Sequence, residues 1–375
     1  YPDNHRRFAL FSRAVLDGVS ELVPGPVLLH AHDWHAALIP VYLRACGIHA
    51  DTFGQTPVVI SVHNAGYQGH FPHFALADLG LPAQLWSPDW IEWYGRVNLL
   101  KGGLKMSDVA VTVSPTHADE LRTPEGGFGL TDTFRQLGPR MMGICNGIDH
   151  DVWNPLADPV IPVRYGRDDL SGKAACKDAV QRSFGFARRT DAPLIAMPAR
   201  LVRQKGLDIV LRSERVRSLD AQFVFLGMGD PEYRAALSAL AGERPQQVAV
   251  EFGFTDRLEH ELLAGADMVL MPSQYEPCGL TQMHAQRYGA IVIGRRVGGI
   301  CDTIEDGVTG FLFDQFHETA LDAAIDRAIA LRAKRRSWTA MMRRAMARDF
   351  SWTTALDAYG QVYATAERLA SAAVA

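Results

Sequence analysis

The chain has 375 residues, 47% of them apolar and 21% charged, with a formal net charge of -4; this is enough for two domains with full cores and argues against a general nucleic-acid binder. Its five cysteines, Cys46, Cys145, Cys176, Cys278 and Cys301, contain no C-x-x-C pair, so they suggest neither a zinc ribbon nor a disulfide scaffold and fit a reducing cytoplasm. No apolar run reaches the roughly 18 residues of a membrane span, and no signal peptide is visible.

In chain order, YPDNHRRFALFSRAV reads as a loop running into a helix and not as a natural start. The expectation is a fragment whose first domain lacks its opening strands and which is therefore much less active than a longer form. Near-continuous apolar runs then predict strands at 27–30, 58–62, 109–113, 141–145, 194–199, 223–226, 268–271 and 291–293, the pattern of strands covered on both faces. Helical patterns alternate with them, which implies parallel sheets in an α/β fold. Two βα series are separated by a Pro- and Asp-rich stretch, 153–169, that reads as a hinge. The expected division is 1–155, an incomplete first domain; 156–350, a complete second domain; and 351–375, a C-terminal helix packing back on the first.

The most informative stretch is MPSQYEPCGLT, residues 271–281. A strand ends in Pro272, Glu276 stands two positions before a Cys-Gly turn, and a helical pattern opens at about Leu280. Helix N-termini present free N–H groups that suit a diphosphate. Upstream, ARLVRQKG sets Arg200 and Lys205 just after another strand. An acid beside an anion site with two fixed cations is what transfer of a sugar from a nucleotide diphosphate requires.

Other motifs are weaker. HAHDWH, residues 30–35, offers three histidines and Asp33, but their spacing matches no common zinc site; the main reading is a polar loop after a strand, lining a cleft. VHNAGYQG carries His63 and Asn64 on a second strand-end loop. A lone histidine there is more often structural, but two neighbouring loops with His and Asp bring a functional site level with that reading. Gly227 and Gly229 read as a structural turn before a helix starting at Asp230-Pro231. Gly298 and Gly299, ahead of a helix opening at Asp302-Thr303, suggest close backbone approach to a ligand. Gly307 and Gly310 bound a hairpin or a strand. The basic run LRAKRRSWTAMMRR has helical apolar spacing, so it reads as a solvated helix face and not as a nucleic-acid site.

Taken in order, HAHDWHAA, SVHNAGYQG, VTVSPTHADEL, ICNGIDHDVWNP, ARLVRQKGLD, LGMGDP, SQYEPCGLTQ, RRVGGICDT and DFSW resemble the bacterial glycogen synthase and plant starch synthase family over essentially the whole chain. The resemblance implies a GT-B glycosyltransferase, two Rossmann-like domains facing across a cleft. It implies ADP-glucose as donor, an α-1,4-glucan such as glycogen as acceptor, retention at the anomeric carbon, and no metal or other cofactor. No nucleic-acid or membrane partner is expected. By the same resemblance Arg200 and Lys205 neutralise phosphate, Glu276 lies near the donor glucose, His63 at the reacting sugar and Asp33 in the cleft. Asn146 faces the donor, Cys278, Gly279, Leu280 and Thr281 form the loop and helix start that hold sugar and phosphate, and Phe254 takes the place of a Tyr stacking on adenine.

Two departures stand out. His284 occupies the position where the wider superfamily often has a second Glu at a ribose, which leaves the ribose contacts unassigned. The family's N-terminal Lys-x-Gly-Gly-Leu loop is missing; Lys101-Gly102-Gly103-Leu104 has the wrong context, inside a helix running into a strand, and reads as packing. The competing readings are another retaining GT-B transferase, such as a sucrose synthase relative, and an inactive glucan- or nucleotide-binding remnant.

Overall fold

A computed structural model describes residues 1–372. The chain divides into two compact units, Tyr1–Cys145 with the C-terminal segment from Ala355, and Asn146–Thr354.

In the first unit the parallel strands β1 (Leu29–His32) and β2 (Val58–Val62) are followed by three short ones, β3 (His70–Pro72), β4 (Glu92–Trp93) and β5 (Arg96–Asn98). Strands β6 (Val109–Thr112) and β7 (Met141–Gly143) complete a four-stranded parallel sheet, β1-β2-β6-β7. Every residue of β2 is buried, which is why it reads as an unbroken apolar run. Strand β1 starts and ends two residues later than expected, so His30 and His32 belong to the strand and not to the loop after it. The three short strands form a separate antiparallel sheet; at two or three residues each they are too short to show a period.

Lys101 to Leu104 lie in the helix Leu99–Met106, which runs into β6. A Cβ on Gly103 would come within 2.7 Å of the Ala37 Cβ. The Lys101 ammonium donates to the carbonyls of Pro88 (2.5 Å) and Glu92 (2.6 Å). This tetrapeptide holds helix to sheet. The last helix, Trp352–Ala372, lays Ala355, Val362 and Ala366 against Val59, Val109, Val111 and Ile144.

The second unit is built on β8 (Leu194–Pro198), β9 (Gln222–Leu226), β10 (Val248–Glu251), β11 (Met268–Met271), β12 (Ile291–Arg295) and β13 (Gly310–Phe313). They pair in the order β10-β9-β8-β11-β12-β13, all in parallel. Strand order reverses between β8 and β11, the point at which open α/β sheets bind ligands beyond their strand ends. The segment after Gly307 is a parallel strand, not a hairpin.

The stretch 153–169, expected as a hinge, is tied down within this unit. Asp158 is 1% exposed and accepts from the Tyr288 hydroxyl at 2.5 Å, with His260 Nδ1 at 2.7 Å. The Tyr165 hydroxyl donates to the carbonyls of Ala264 (3.1 Å) and Tyr288 (2.8 Å). Its composition looks like a linker because the buried anchors are themselves polar. The basic run falls on the helices Glu318–Arg332 and Arg335–Met346, with Trp338, Met341, Met342 and Ala345 buried and Arg335, Arg336, Arg343 and Arg344 exposed. Among the described residues no helix is long and apolar enough to cross a membrane.

Candidate active site

The loop after β8 carries Arg200 and Lys205; the loop after β11 carries Glu276. The two are zipped side by side. Gln274 N–H donates to the Gln204 carbonyl (2.7 Å), and the Gln204 side-chain amide donates to the Tyr275 carbonyl (3.2 Å). Gly206, at φ +80°, ends the turn Arg203–Lys205 where a Cβ would lie 2.1 Å from the Pro272 carbonyl oxygen; only glycine admits that approach. The Lys205 ammonium consequently meets Glu276 Oε2, which also accepts the Ser273 hydroxyl at 3.0 Å. Glu276 is buried. Arg200 is exposed, with a guanidinium nitrogen 3.4 Å from Gln204 Oε1.

Gly298 and Gly299 support the Glu276 loop from beneath. The helix Gly298–Thr303 starts at the glycines and not at Asp302. A Cβ on Gly298 would fall 1.9 Å from the Glu276 carbonyl oxygen, and one on Gly299 2.0 Å from that of Cys278. At both glycines a close approach is made to protein backbone. Next along, Gly279 (φ +71°) turns the chain into the helix Thr281–Arg287, whose N-cap is the exposed Leu280. The buried Gln282 amide bonds the carbonyls of Cys278 (2.8 Å) and Gly279 (2.9 Å). Burial pushes the Cys278 thiol up to about 11, against the pull of the Asn146 N–H, with Glu276 and Asp302 adding to the rise. Cys278 is therefore a neutral packing group and not a thiolate nucleophile.

A cavity of about 370 Å³ opens at the ends of β8 and β11, lined by Arg200, Lys205, Phe254, Glu259, Ser273 and Thr281 among others. Phe254 is 47% exposed. Gly227 also lines it, but its φ of +149° and a Cβ position 2.0 Å from the Ala199 carbonyl oxygen make its role structural. Ser273 and Glu259 escaped the sequence reading. Ser273 sits three residues before Glu276, a spacing that could have flagged it. Glu259 lies in the first turn of the helix Asp256–Gly265, where an acid ordinarily reads as a solvated position.

In the first unit, Asp33 and His63 are brought together at the ends of β1 and β2. Asp33 adopts φ +56° and its Oδ1 accepts the His63 N–H at 2.8 Å. His32 Nδ1 and His63 Nε2 are 3.0 Å apart, sharing a hydrogen bond. His30 stacks on His32 with centroids 4.4 Å apart and bonds the hydroxyls of Tyr363 (3.0 Å) and Ser61 (2.8 Å). Burial, then the neighbouring His32 and His63, lower His30 to about 4. His30 is a neutral structural residue, and among the described residues no three His, Cys, Asp or Glu groups converge as metal ligands.

Comparison with known proteins places these features in a family. The family model described as Starch synthase catalytic domain matches residues 1–136, and that described as Glycosyl transferases group 1 matches residues 181–344. The glycogen synthase of Anaeromyxobacter sp. (strain Fw109-5) is 43% identical over 369 residues, 97% of this chain and 78% of the relative. Glycogen synthase 2 of Geobacter sulfurreducens is 42% identical over 370 residues, 97% and 76% of the two chains. The catalytic domain of starch synthase IV from Arabidopsis thaliana, solved bound to ADP and acarbose, superposes with a TM-score of 0.90 at 33% identity, covering 98% of this chain and 78% of that one. Sucrose-phosphate synthase from Thermosynechococcus elongatus, at 19% identity and a TM-score of 0.62 over 94% and 76% of the chains, shares the fold alone. The chain belongs to the glycogen synthase and starch synthase family, as a glycosyltransferase of the GT-B fold.

Proposed function

We propose that the chain transfers glucose from ADP-glucose to the non-reducing end of an α-1,4-glucan, with retention of configuration and without a metal ion. The observation that carries this reading is the pairing of Lys205 with the buried carboxylate of Glu276 beside Arg200, at the mouth of a cavity that also holds the Phe254 ring. The ADP and acarbose bound to the Arabidopsis starch synthase support the same donor and acceptor classes.

In this mechanism the acceptor 4-hydroxyl attacks C1 of the donor glucose, and the bond from C1 to the β-phosphate oxygen breaks. That leaving oxygen takes the acceptor proton, on the same face of the sugar, so configuration is kept without a glycosyl-enzyme intermediate. Arg200 and Lys205 stabilise the charge that grows on the leaving diphosphate, which makes them worth most in the transition state. Glu276 orients the glucose. Phe254 stacks on the base, with Asn146 and the segment Cys278 to Thr281 completing the donor side. Gly298 and Gly299 act by holding up the Glu276 loop. Asp33 positions His63, which binds the reacting sugar.

The test is glucose incorporation into glycogen from a panel of ADP-, UDP- and GDP-glucose, with the anomeric configuration of the new linkage read by NMR. Incorporation from ADP-glucose into α-1,4 linkages is expected. Transfer to fructose, preference for another nucleotide, or ADP binding without transfer would overturn the assignment.

A further inference from the structure

The donor reading above leaves Glu259 without a task. It is 7% exposed, it lines the cavity, and among the described residues its carboxylate accepts no hydrogen bond from protein. His284 Nδ1 lies 3.6 Å from its Oε1. That nitrogen is itself buried without a hydrogen-bond partner, because the imidazole is clamped face to face on Trp153, centroids 3.5 Å apart and planes 9° from parallel. A buried carboxylate without donors is costly, and its demand is for O–H or N–H groups.

The position of Glu259 limits what can supply them. It stands on the helix Asp256–Gly265, capped by the Thr255 hydroxyl, which accepts the Leu258 N–H at 3.2 Å. Leu262 and Leu263 anchor that helix in the core, so the carboxylate is held by a rigid element. A second negative charge would be repelled by a diphosphate, so Glu259 suits a neutral part of a nucleotide. The cavity offers cations, Arg200 and Lys205, for the phosphates and the Phe254 ring for the base. What joins the two in a nucleoside diphosphate is the ribose, whose 2′- and 3′-hydroxyls are two donors on adjacent carbons, a match to the two oxygens of one carboxylate.

We propose that Glu259 binds the ribose diol of the nucleotide donor and so makes the site selective for ribonucleotides over deoxyribonucleotides. The inference rests on the donor reading given above. His284 acts as a positioning residue behind the carboxylate.

Isothermal titration of the chain with ADP, 2′-deoxy-ADP, 3′-deoxy-ADP and inosine diphosphate tests it. ADP is expected to bind about 10- to 100-fold more tightly than either deoxy analogue, the range for a hydrogen bond to a charged group. Glu259→Ala should weaken ADP by at least a similar factor and each deoxy analogue, which keeps one hydroxyl, by less, and Glu259→Gln should fall between. Equal binding of ADP and both deoxy analogues by the parent chain overturns the role of Glu259 while leaving the donor reading intact. So does a Glu259→Ala penalty that appears for ADP but not for inosine diphosphate, which would assign the carboxylate to the base amino group. No binding of ADP by the parent chain overturns both readings. If Glu259→Ala does not fold, Glu259→Gln carries the comparison: an ADP preference over the deoxy analogues equal to the parent's overturns the role of Glu259.

Discussion

Lys205 meets Glu276 on the carboxylate oxygen, Oε2, that also receives the Ser273 hydroxyl. The second oxygen of Glu276 is thereby left free of this clamp, and the ammonium reaches the cavity already partnered. In the proposed reaction an arriving diphosphate would not meet a bare cation; it would compete for one that a carboxylate holds in place.

Glu276→Ala is expected to abolish turnover, a loss of at least about 10²-fold, while leaving the fold intact. Glucose incorporation and near-ultraviolet circular dichroism measured together check it. Near-normal incorporation would remove Glu276 from the mechanism.

Arg200→Ala and Lys205→Ala should each lower kcat more than they raise the donor KM, by on the order of 10²–10³ in rate, because charge builds on the leaving phosphate only in the transition state. An effect confined to KM would mean that they bind the ground-state donor only.

Gly298→Ala should destabilise the chain by about 1–3 kcal/mol and cut activity. A side chain at φ +40° is strained, and its Cβ would collide with the Glu276 carbonyl oxygen. Urea unfolding and donor titration check it. Unchanged stability would show that the loop can move aside.

Stability should fall as pH drops from about 6.5 towards about 4, in part through His30, whose folded value is lowered to about 4 by burial, His32 and His63. The sign follows from proton uptake: in that window the unfolded chain binds the proton and the folded chain does not, so acid favours unfolding. His32 and His35 are also lowered, chiefly by burial, and add to the trend. Thermal midpoints across this range should vary less in His30→Gln; an unaltered slope would remove His30 as a contributor.

Exhaustive dialysis against EDTA should leave the rate unchanged, since Arg200 and Lys205 already supply positive charge at the leaving group. Activity lost on dialysis and restored by one divalent ion would replace this mechanism with a metal-assisted one.

The strands that could be read from sequence are the ones buried on both faces, such as β2 and β11, where burial forces an unbroken apolar run. Strand β10 was not legible because only Val248 is fully buried on that edge, and β3 to β5 are too short to carry a pattern. In the site, Arg200, Lys205 and Glu276 were visible because charge just after an apolar strand is unusual. Glu259 was not, because its burial depends on a cavity that distant strand ends create. His30 shows the converse: a histidine in a suggestive motif that tertiary contacts with Ser61 and Tyr363 claim for the core.

The C-terminal helix that covers Val59, Val109 and Val111 has a consequence for biosynthesis. The second unit is a continuous stretch of chain, Asn146–Thr354. The first unit keeps one face of its sheet uncovered until the helix Trp352–Ala372, which follows the second unit in the chain, emerges. The first unit is thus assembled from segments on both sides of the second, and while its valine face is open the nascent chain is exposed to aggregation.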